Sequence, residues 1–406
     1  MHGTEWDLPQ LLRPIEAEAF MRDTWEKQSL AVTRDDPAYF HGLFTLSDVD
    51  TVIAFTRPKF TEPGDFKPEG APARNFIQGL LADDEMSPAV KYPNVAEVRR
   101  AFDRGKTIIL TAMQYRWESV ASLCRRLEER FGCPVHTNLY LTPPGSQGFD
   151  PHYDTHEVFV LQIEGNKHWR VYGAGRELPL PLETATFSRD QLGAPTLEAV
   201  LRPGDVLYLP RGHIHEAFTS DTLSLHLTVG IKVYRWVDLL HQAIDIVSAR
   251  DVRLRATLPP GLLIGNVAAH SLEADFRELM QHVTDAAQSN EAVSRLASAF
   301  LGQLTTLPGA SFAANFDADK VGPDTVLERV PGAMCRVMTL ADGRVCLQFP
   351  GGSLDGPPKI ARALHFIART SHFAVRAMPD DLTVDGNLVL LRRLVRDKLL
   401  HIVGAP

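Results

Sequence analysis

His152-Tyr153-Asp154, followed by Val158-Phe-Val-Leu-Gln-Ile-Glu-Gly-Asn-Lys-His-Trp-Arg-Val-Tyr172, decides how this chain is read. The longer run holds two strands' worth of β-branched and aromatic residues split by Gly165-Asn166. That two-residue turn signal predicts a hairpin in which Glu164 and Lys167 face each other. On an extended segment residues i and i+2 project to one side, so an imidazole at 152 and a carboxylate at 154 can grip one ion together. If the strand runs on from 152 without a bulge, their face also bears Val158, Val160 and Gln162, and beyond the turn Lys167, Trp169 and Val171. A lysine on an inner face is costly unless an anion meets it, and a dicarboxylate would supply that anion. The bland reading is a lysine that snorkels to water or pairs with Glu164. By the same parity His168 points outward.

Around this stretch the pattern is strand after strand. Thr107–Thr111, Asn138–Thr142, Asp205–Leu209 and Leu223–Val229 are short, β-branched or alternating runs bounded by turn residues, which predicts an all-β barrel or double sheet. One helix interrupts it at 117–131, with Val120, Leu123, Leu127 and Phe131 at helical spacing. Upstream, 15–55 has helical periodicity broken by the apolar run Ser29–Thr33, and the Pro-, Gly- and charge-rich stretch 57–74 reads as a surface loop. Downstream, three amphipathic helices (Val237–Val247, Leu272–Val283, Val293–Phe300) predict a bundle or dimerisation unit. The last hundred residues predict a hairpin around Asp342-Gly343 (Cys335–Phe349), a helix at 357–370, and another to about 400 with Asp385 as its N-cap.

Six of the fifteen histidines (152, 156, 168, 213, 215 and 226) fall between 152 and 226, which points to a metal site in the β region. A histidine from a distant strand would complete a two-histidine, one-carboxylate facial triad, a set that suits ferrous iron and leaves positions open for a co-substrate and O2. The segment Pro203-Gly-Asp-Val-Leu-Tyr-Leu-Pro-Arg-Gly-His-Ile-His215 delivers two histidines to one strand face. Spacing does not choose between His213 and His215.

Taken together, Asn138-Leu-Tyr-Leu-Thr-Pro-Pro-Gly-Ser-Gln-Gly148, His152-Tyr-Asp154, the 158–172 run and the 203–215 segment resemble the JmjC-domain 2-oxoglutarate oxygenases. The likeness is to the ribosomal oxygenase subgroup (protein histidyl and arginyl hydroxylases), and it is strongest over about 105–235. It implies a mainly β catalytic core, a double-stranded β-helix of cupin/JmjC type, within a catalytic domain at 1–235. It also implies an α-helical dimerisation domain at 236–310 and a small α+β, winged-helix-like domain at 311–406. His152, Asp154 and His215 become the catalytic Fe(II) ligands, and Lys167 matches the lysine that pairs with the distal carboxylate of 2-oxoglutarate in the histidyl-hydroxylase type, where the arginyl type carries arginine. Asn138 and Tyr140 match residues lining the co-substrate and substrate pocket. Thr228, with His226, lies on the closing strand near that pocket, and Gln114 lies at its rim. Three positions depart from the pattern: Thr155-His156 stands where relatives carry acidic residues, and Gly230 where histidyl hydroxylases carry a serine that contacts the target.

The implied function is hydroxylation of a protein or peptide side chain, with a histidine or arginine of a basic ribosomal protein leading. An oxygenase tailoring a peptide natural product, or a cupin metal-binding protein that does not use 2-oxoglutarate, stays open as the alternative. The composition agrees: 406 residues, 44% hydrophobic and 23% charged, with net charge −8, fit a folded protein whose field favours a cationic partner over nucleic acid. The basic cluster Arg392, Arg393, Arg396 and Lys398 would be a DNA face only if the last module were winged-helix, and flanking aspartates argue against it. Four cysteines without a CxxC pair read as reduced thiols. No run reaches the roughly 18 apolar residues of a membrane span, and no secretory pattern opens the chain, so the expectation is a cytoplasmic protein, and the resemblance implies a homodimer.

Overall fold

The structure, a computed structural model, describes residues 6–56, 58–61, 76–80, 95–264, 269–304, 314–340 and 342–404. The chain divides into two compact units, Met1–Val233 and Tyr234–Pro406. In the first, the order is α1 (Leu8–Leu12), α2 (Ala17–Asp23), β1 (Leu30–Val32), α3 (Leu46–Thr56), β2 (Lys59–Thr61), β3 (Phe76–Leu80), α4 (Val95–Asp103), β4 (Thr107–Leu110) and α5 (Glu118–Phe131). Seven strands follow: β5 (Val135–Thr142), β6 (Glu157–Gly165), β7 (Lys167–Ala174), β8 (Leu197–Leu201), β9 (Val206–Leu209), β10 (His213–Phe218) and β11 (Ser224–Ile231).

These strands form two sheets that enclose one interior, the double-stranded β-helix. The larger runs β1-β9-β6-β11-β5-β4-β3-β2 and the smaller β10-β7-β8. Val158, Val160, Leu207 and Leu209 of the large sheet and Trp169, Val171 and Leu201 of the small one form the apolar layer between them. Each such side chain, fully removed from water, contributes about 1.5–3 kcal/mol.

Several expectations are corrected here. The Gly165-Asn166 turn does not close a hairpin, because β6 pairs with β9 and β11 whereas β7 pairs with β8 and β10. The chain crosses at that point from one sheet to the other. Gly165 supplies the positive φ of +62°, and a Cβ there would lie 1.8 Å from the Leu223 carbonyl oxygen. Parity survives the error because both strands present alternate residues to the same interior. Lys167, Trp169 and Val171 are buried and His168 is not, its ring stacking on Phe218. Nor does a strand run on from 152: residues 155–156 bend before β6 begins. Ser29–Thr33 supplies β1, an edge strand in register with β9 (Leu30 opposite Tyr208). Of the expected loop at 57–74, Lys59–Thr61 is strand β2, and 62–74 lies outside the described residues. β8 was not anticipated; Glu198 and Ala199 are poor strand formers, and β7 holds them in place.

The second unit holds α6 (Trp236–Arg250), α7 (Ala269–Ala286), α8 (Ser289–Gln303), α9 (Ala314–Asp317), β12 (Val326–Arg329), β13 (Arg336–Thr339), β14 (Val345–Phe349), β15 (Gly352–Gly356), α10 (Ala361–Arg369), β16 (His372–Ala374), α11 (Val384–Arg396) and β17 (Leu400–Gly404). β13 and β14 form the hairpin at Asp342-Gly343. The cap of α11 is Thr383, not Asp385: its Oγ1 accepts the Gly386 N–H, and Asp385 falls in the first turn. Arg392 donates to the Val321 carbonyl, while Arg393 and Arg396 pair with Asp397 and Asp319, so these three side chains serve the unit's own packing. Among the described residues, no helix is long and apolar enough to cross a membrane.

Candidate functional site

The interior between the sheets opens into a cavity of about 670 Å3, and its wall carries most of the residues singled out in the sequence. His152 lies in the loop before β6 and His215 on β10, far apart in sequence. Their backbones exchange two hydrogen bonds, His152 N to His215 O at 3.1 Å and His215 N to His152 O at 2.8 Å, which sets the imidazoles side by side with centroids 4.6 Å apart. The Asp154 carbonyl accepts the Gly212 N–H at 2.8 Å. Gly212 has φ +85° and its missing Cβ would sit 1.8 Å from the Arg176 carbonyl oxygen, so only glycine fits this corner.

The three side chains converge. One ligand atom from each of His152, Asp154 and His215 lies within 4.8 Å of the others, and His215 Nε2 is 3.8 Å from the Asp154 carboxylate. The Nδ1 of His152 is 2.8 Å from the Asp150 carbonyl, and that of His215 is 3.0 Å from the His213 carbonyl. Carbonyls only accept, so each proton sits on Nδ1 and each Nε2 keeps its lone pair, the arrangement that orients metal-ligating histidines. Burial, then the neighbouring His152, pushes His215 down to about 4, which keeps it neutral. Burial alone would raise the Asp154 carboxyl; His156, His152, His215 and His136 instead hold it below the usual carboxylate range. Two imidazoles that turn Nε2 away from their carbonyl partners, with one ionised carboxylate, are the donor chemistry of a ferrous site.

The sequence leaves His213 open beside His215, with both expected on one strand face. That expectation fails. The β10–β7 register shifts between them, so His213 turns to Ser29 Oγ at 3.0 Å while His215 faces the cavity.

Lys167 lines the same cavity as this triad. It is 4% exposed, and its Nζ donates to Thr142 Oγ1 at 2.7 Å. Among the described residues no carboxylate pairs with it, Glu164 included, and burial pushes its ammonium down to about 7. Trp169, Tyr140, His226 and Thr228 complete this end. The register puts Asn138 and Tyr140 of β5 opposite Thr228 and His226 of β11. Burial raises the Tyr140 hydroxyl to about 12, against hydrogen bonds with Asn138 and Thr228. Asn138 and Gln114 are not brought to the cavity wall: Asn138 Oδ1 accepts the Ala112 N–H, and Gln114 Oε1 accepts the Thr137 N–H.

Sequence reasoning missed Thr142, although it follows from alternation beyond Asn138 and Tyr140. It also missed the Thr184–Thr186 segment of the wall, in which Thr186 bridges to His152; no local signal marks it. Gly230 is likewise explained only in space. A Cβ there would meet His136 at 2.3 Å and His156 at 2.5 Å, so these two tilted rings, 4.8 Å apart, pack where a side chain would stand.

Residues 111–239 match the JmjC domain family. The chain is 35% identical over 309 residues to Ribosomal oxygenase 1 of Gallus gallus, covering 72% of this chain and 50% of that protein. To Ribosomal oxygenase 2 of Mus musculus it is 34% identical over 265 residues (63% and 54%). To the Bifunctional lysine-specific demethylase and histidyl-hydroxylase NO66 of Drosophila persimilis it is 34% identical over 290 residues (69% and 40%). The chain thus spans about half the length of the curated relatives it matches. Among solved structures, Escherichia coli YcfD, a ribosomal oxygenase in complex with cobalt and 2-oxoglutarate, shares the fold, with a TM-score of 0.54 over 96% of this chain and 99% of that one at 19% identity. With the fold, the convergent histidines and aspartate, and these relatives pointing one way, residues 111–239 match a JmjC domain and the chain is similar to the ribosomal oxygenases.

Proposed function

We propose that this chain is an Fe(II)- and 2-oxoglutarate-dependent oxygenase that hydroxylates a side chain of a protein or peptide. One observation carries the reading: a buried lysine without a carboxylate shares a cavity with a two-histidine, one-carboxylate set whose Nε2 atoms are bare. An unpaired ammonium out of water is unfavourable, and a dicarboxylate resolves it. His152, Asp154 and His215 would hold the iron from one side, and Lys167 with Thr142 would hold the far carboxylate of 2-oxoglutarate. When bound, iron and 2-oxoglutarate supply with O2 the oxidising chemistry that places oxygen on a C–H bond, releasing succinate and CO2.

The chain's own contribution is placement and exclusion. The carbonyls of Asp150 and His213 fix the two rings, the His152–His215 bridge fixes their spacing, and Val158, Val160, Trp169 and Leu209 keep water from the reacting region. At about 670 Å3 the cavity is of the size that takes drug-sized ligands, about 300–1,000 Å3, which leaves room for a target side chain beside a five-carbon dicarboxylate.

We infer that the target is a histidine or arginine of a basic ribosomal protein, with histidine ahead. Lys167 at the anion end favours the histidyl type, as does the histidyl-hydroxylase named among the relatives. A net charge of −8 suits a cationic partner. Gly230, covered by His136 and His156, leaves no hydroxyl there for the target to meet. We further propose a cytoplasmic homodimer joined through 236–310, with 311–406 as a winged-helix-like accessory module. The four free cysteines are consistent with a reducing compartment. The test is to incubate the iron-loaded protein with 2-oxoglutarate and a ribosomal extract and to follow succinate release and the gain of one oxygen by mass spectrometry. Succinate at background with no oxygenated product would sink this reading.

A further inference from the structure

The chemistry argued so far leaves His226 without a task. Its side chain projects from β11 into the cavity wall and is 3% exposed. The ring stacks parallel on Tyr140, centroids 4.9 Å apart and planes 1° apart, and meets Trp169 edge to face at 5.7 Å. Both contacts fix the plane of the ring and leave its nitrogens pointing along that plane. Among the described residues neither nitrogen has a hydrogen-bond partner, and Nδ1 is fully buried. A neutral imidazole always carries one N–H, so an N–H held rigidly in the interior without an acceptor is unfavourable. Burial, and then the nearby Lys167 ammonium, both disfavour protonation of this ring. The end of the cavity therefore offers one cation, Lys167, the Thr142 hydroxyl it touches, and one neutral donor, His226.

We infer that His226 is a further anchor for the co-substrate's far carboxylate, donating a ring N–H to one of its oxygens beside Lys167 and Thr142. The inference rests on the reading of the cavity as a 2-oxoglutarate site. A single cation with a neutral donor matches a single carboxylate in charge and in number of oxygens. Two cations would over-compensate it, whereas a neutral donor adds a hydrogen bond without adding charge. The same stacking ties the ring to Tyr140, whose hydroxyl is held by Asn138 and Thr228, so the anchor is positioned before the ligand arrives.

The experiment uses the full chain loaded with ferrous iron without oxygen, titrated calorimetrically with 2-oxoglutarate and, in parallel, with 2-oxobutyrate, which lacks the far carboxylate. His226→Phe keeps the stacked ring and removes both nitrogens. It should weaken 2-oxoglutarate about 10- to 100-fold and leave 2-oxobutyrate unchanged. His226→Gln, which keeps an N–H, should recover part of the loss. In the wild type, the 15N resonances of His226 should shift on adding 2-oxoglutarate and stay put with 2-oxobutyrate; this readout stands even if the Phe variant fails to fold. Equal affinities for 2-oxoglutarate in wild type and His226→Phe, an equal loss for both acids, or unmoved resonances would overturn the assignment. If Lys167→Ala still weakens 2-oxoglutarate in that case, only His226 is misassigned; if the wild type does not bind 2-oxoglutarate at all, the oxygenase reading falls with it.

Discussion

Replacing Lys167 by methionine, which fills similar volume without charge, should make the ligand-free protein more stable, and the gain should depend on pH in one direction. Burial moves this ammonium from 10.5 down to about 7, and its contact is the Thr142 hydroxyl. At about 1.4 kcal/mol per pKa unit, holding a proton there costs the folded state roughly 4–5 kcal/mol relative to the unfolded chain. The sign follows from linkage. Because the folded pKa is depressed, the penalty is fully present below pH 7, where both states are protonated. It shrinks as pH rises, since the unfolded chain then binds more protons than the folded one, and it is gone above about pH 10.5. The lost hydrogen bond returns about 1 kcal/mol of this, as Thr142 Oγ1 still accepts from Thr107. Lys167→Met should therefore gain about 3–4 kcal/mol at pH 6 and close to nothing at pH 10. Urea titrations at the two pH values, read as the change in midpoint at constant slope, measure it. A variant less stable than wild type at pH 6, or a gain that does not shrink with pH, would show that the lysine is not desolvated as described. Such instability kept in place is what a functional site held under strain predicts.

His215→Ala should lower iron affinity at least 100-fold by metal analysis of dialysed protein, with the fold unchanged by circular dichroism, because the His152 and Asp154 side chains alone cannot enclose an ion. Gly165→Ala should destabilise the β unit by more than about 2 kcal/mol in thermal melts, since its Cβ would strike the Leu223 carbonyl at the only point where the chain passes from β6 to β7. Gly230→Ser should cost about 1–3 kcal/mol in urea titrations and weaken iron retention, because it displaces His136 and His156, which flank Asp154. Wild-type stability in that variant would mean that the two rings are free to move aside.

What the sequence disclosed, and what it withheld, divides along physical lines. Periodicity is local, so the strands at 107–110, 135–142 and 206–209 and the helix at 118–131 were legible, as was the inward face of Val158, Val160, Lys167 and Trp169. Partnership is not local. Gly165-Asn166 records only that the backbone needs a positive φ, and it serves a sheet-to-sheet crossing as well as a hairpin. His152 and Asp154 were singled out by an i, i+2 argument that assumed a continuous strand. The segment bends instead, and it is the two-bond bridge to His215 that holds His152 in place. The same non-local control settles the pair at 213 and 215: a strict pleat would aim both rings one way, and a single register shift against β7 sends one to Ser29 and the other to Asp154. Which histidine joins His152 and Asp154 is thus set by that register shift, which requires no particular residue type and leaves no compositional trace, so spacing could not have found it.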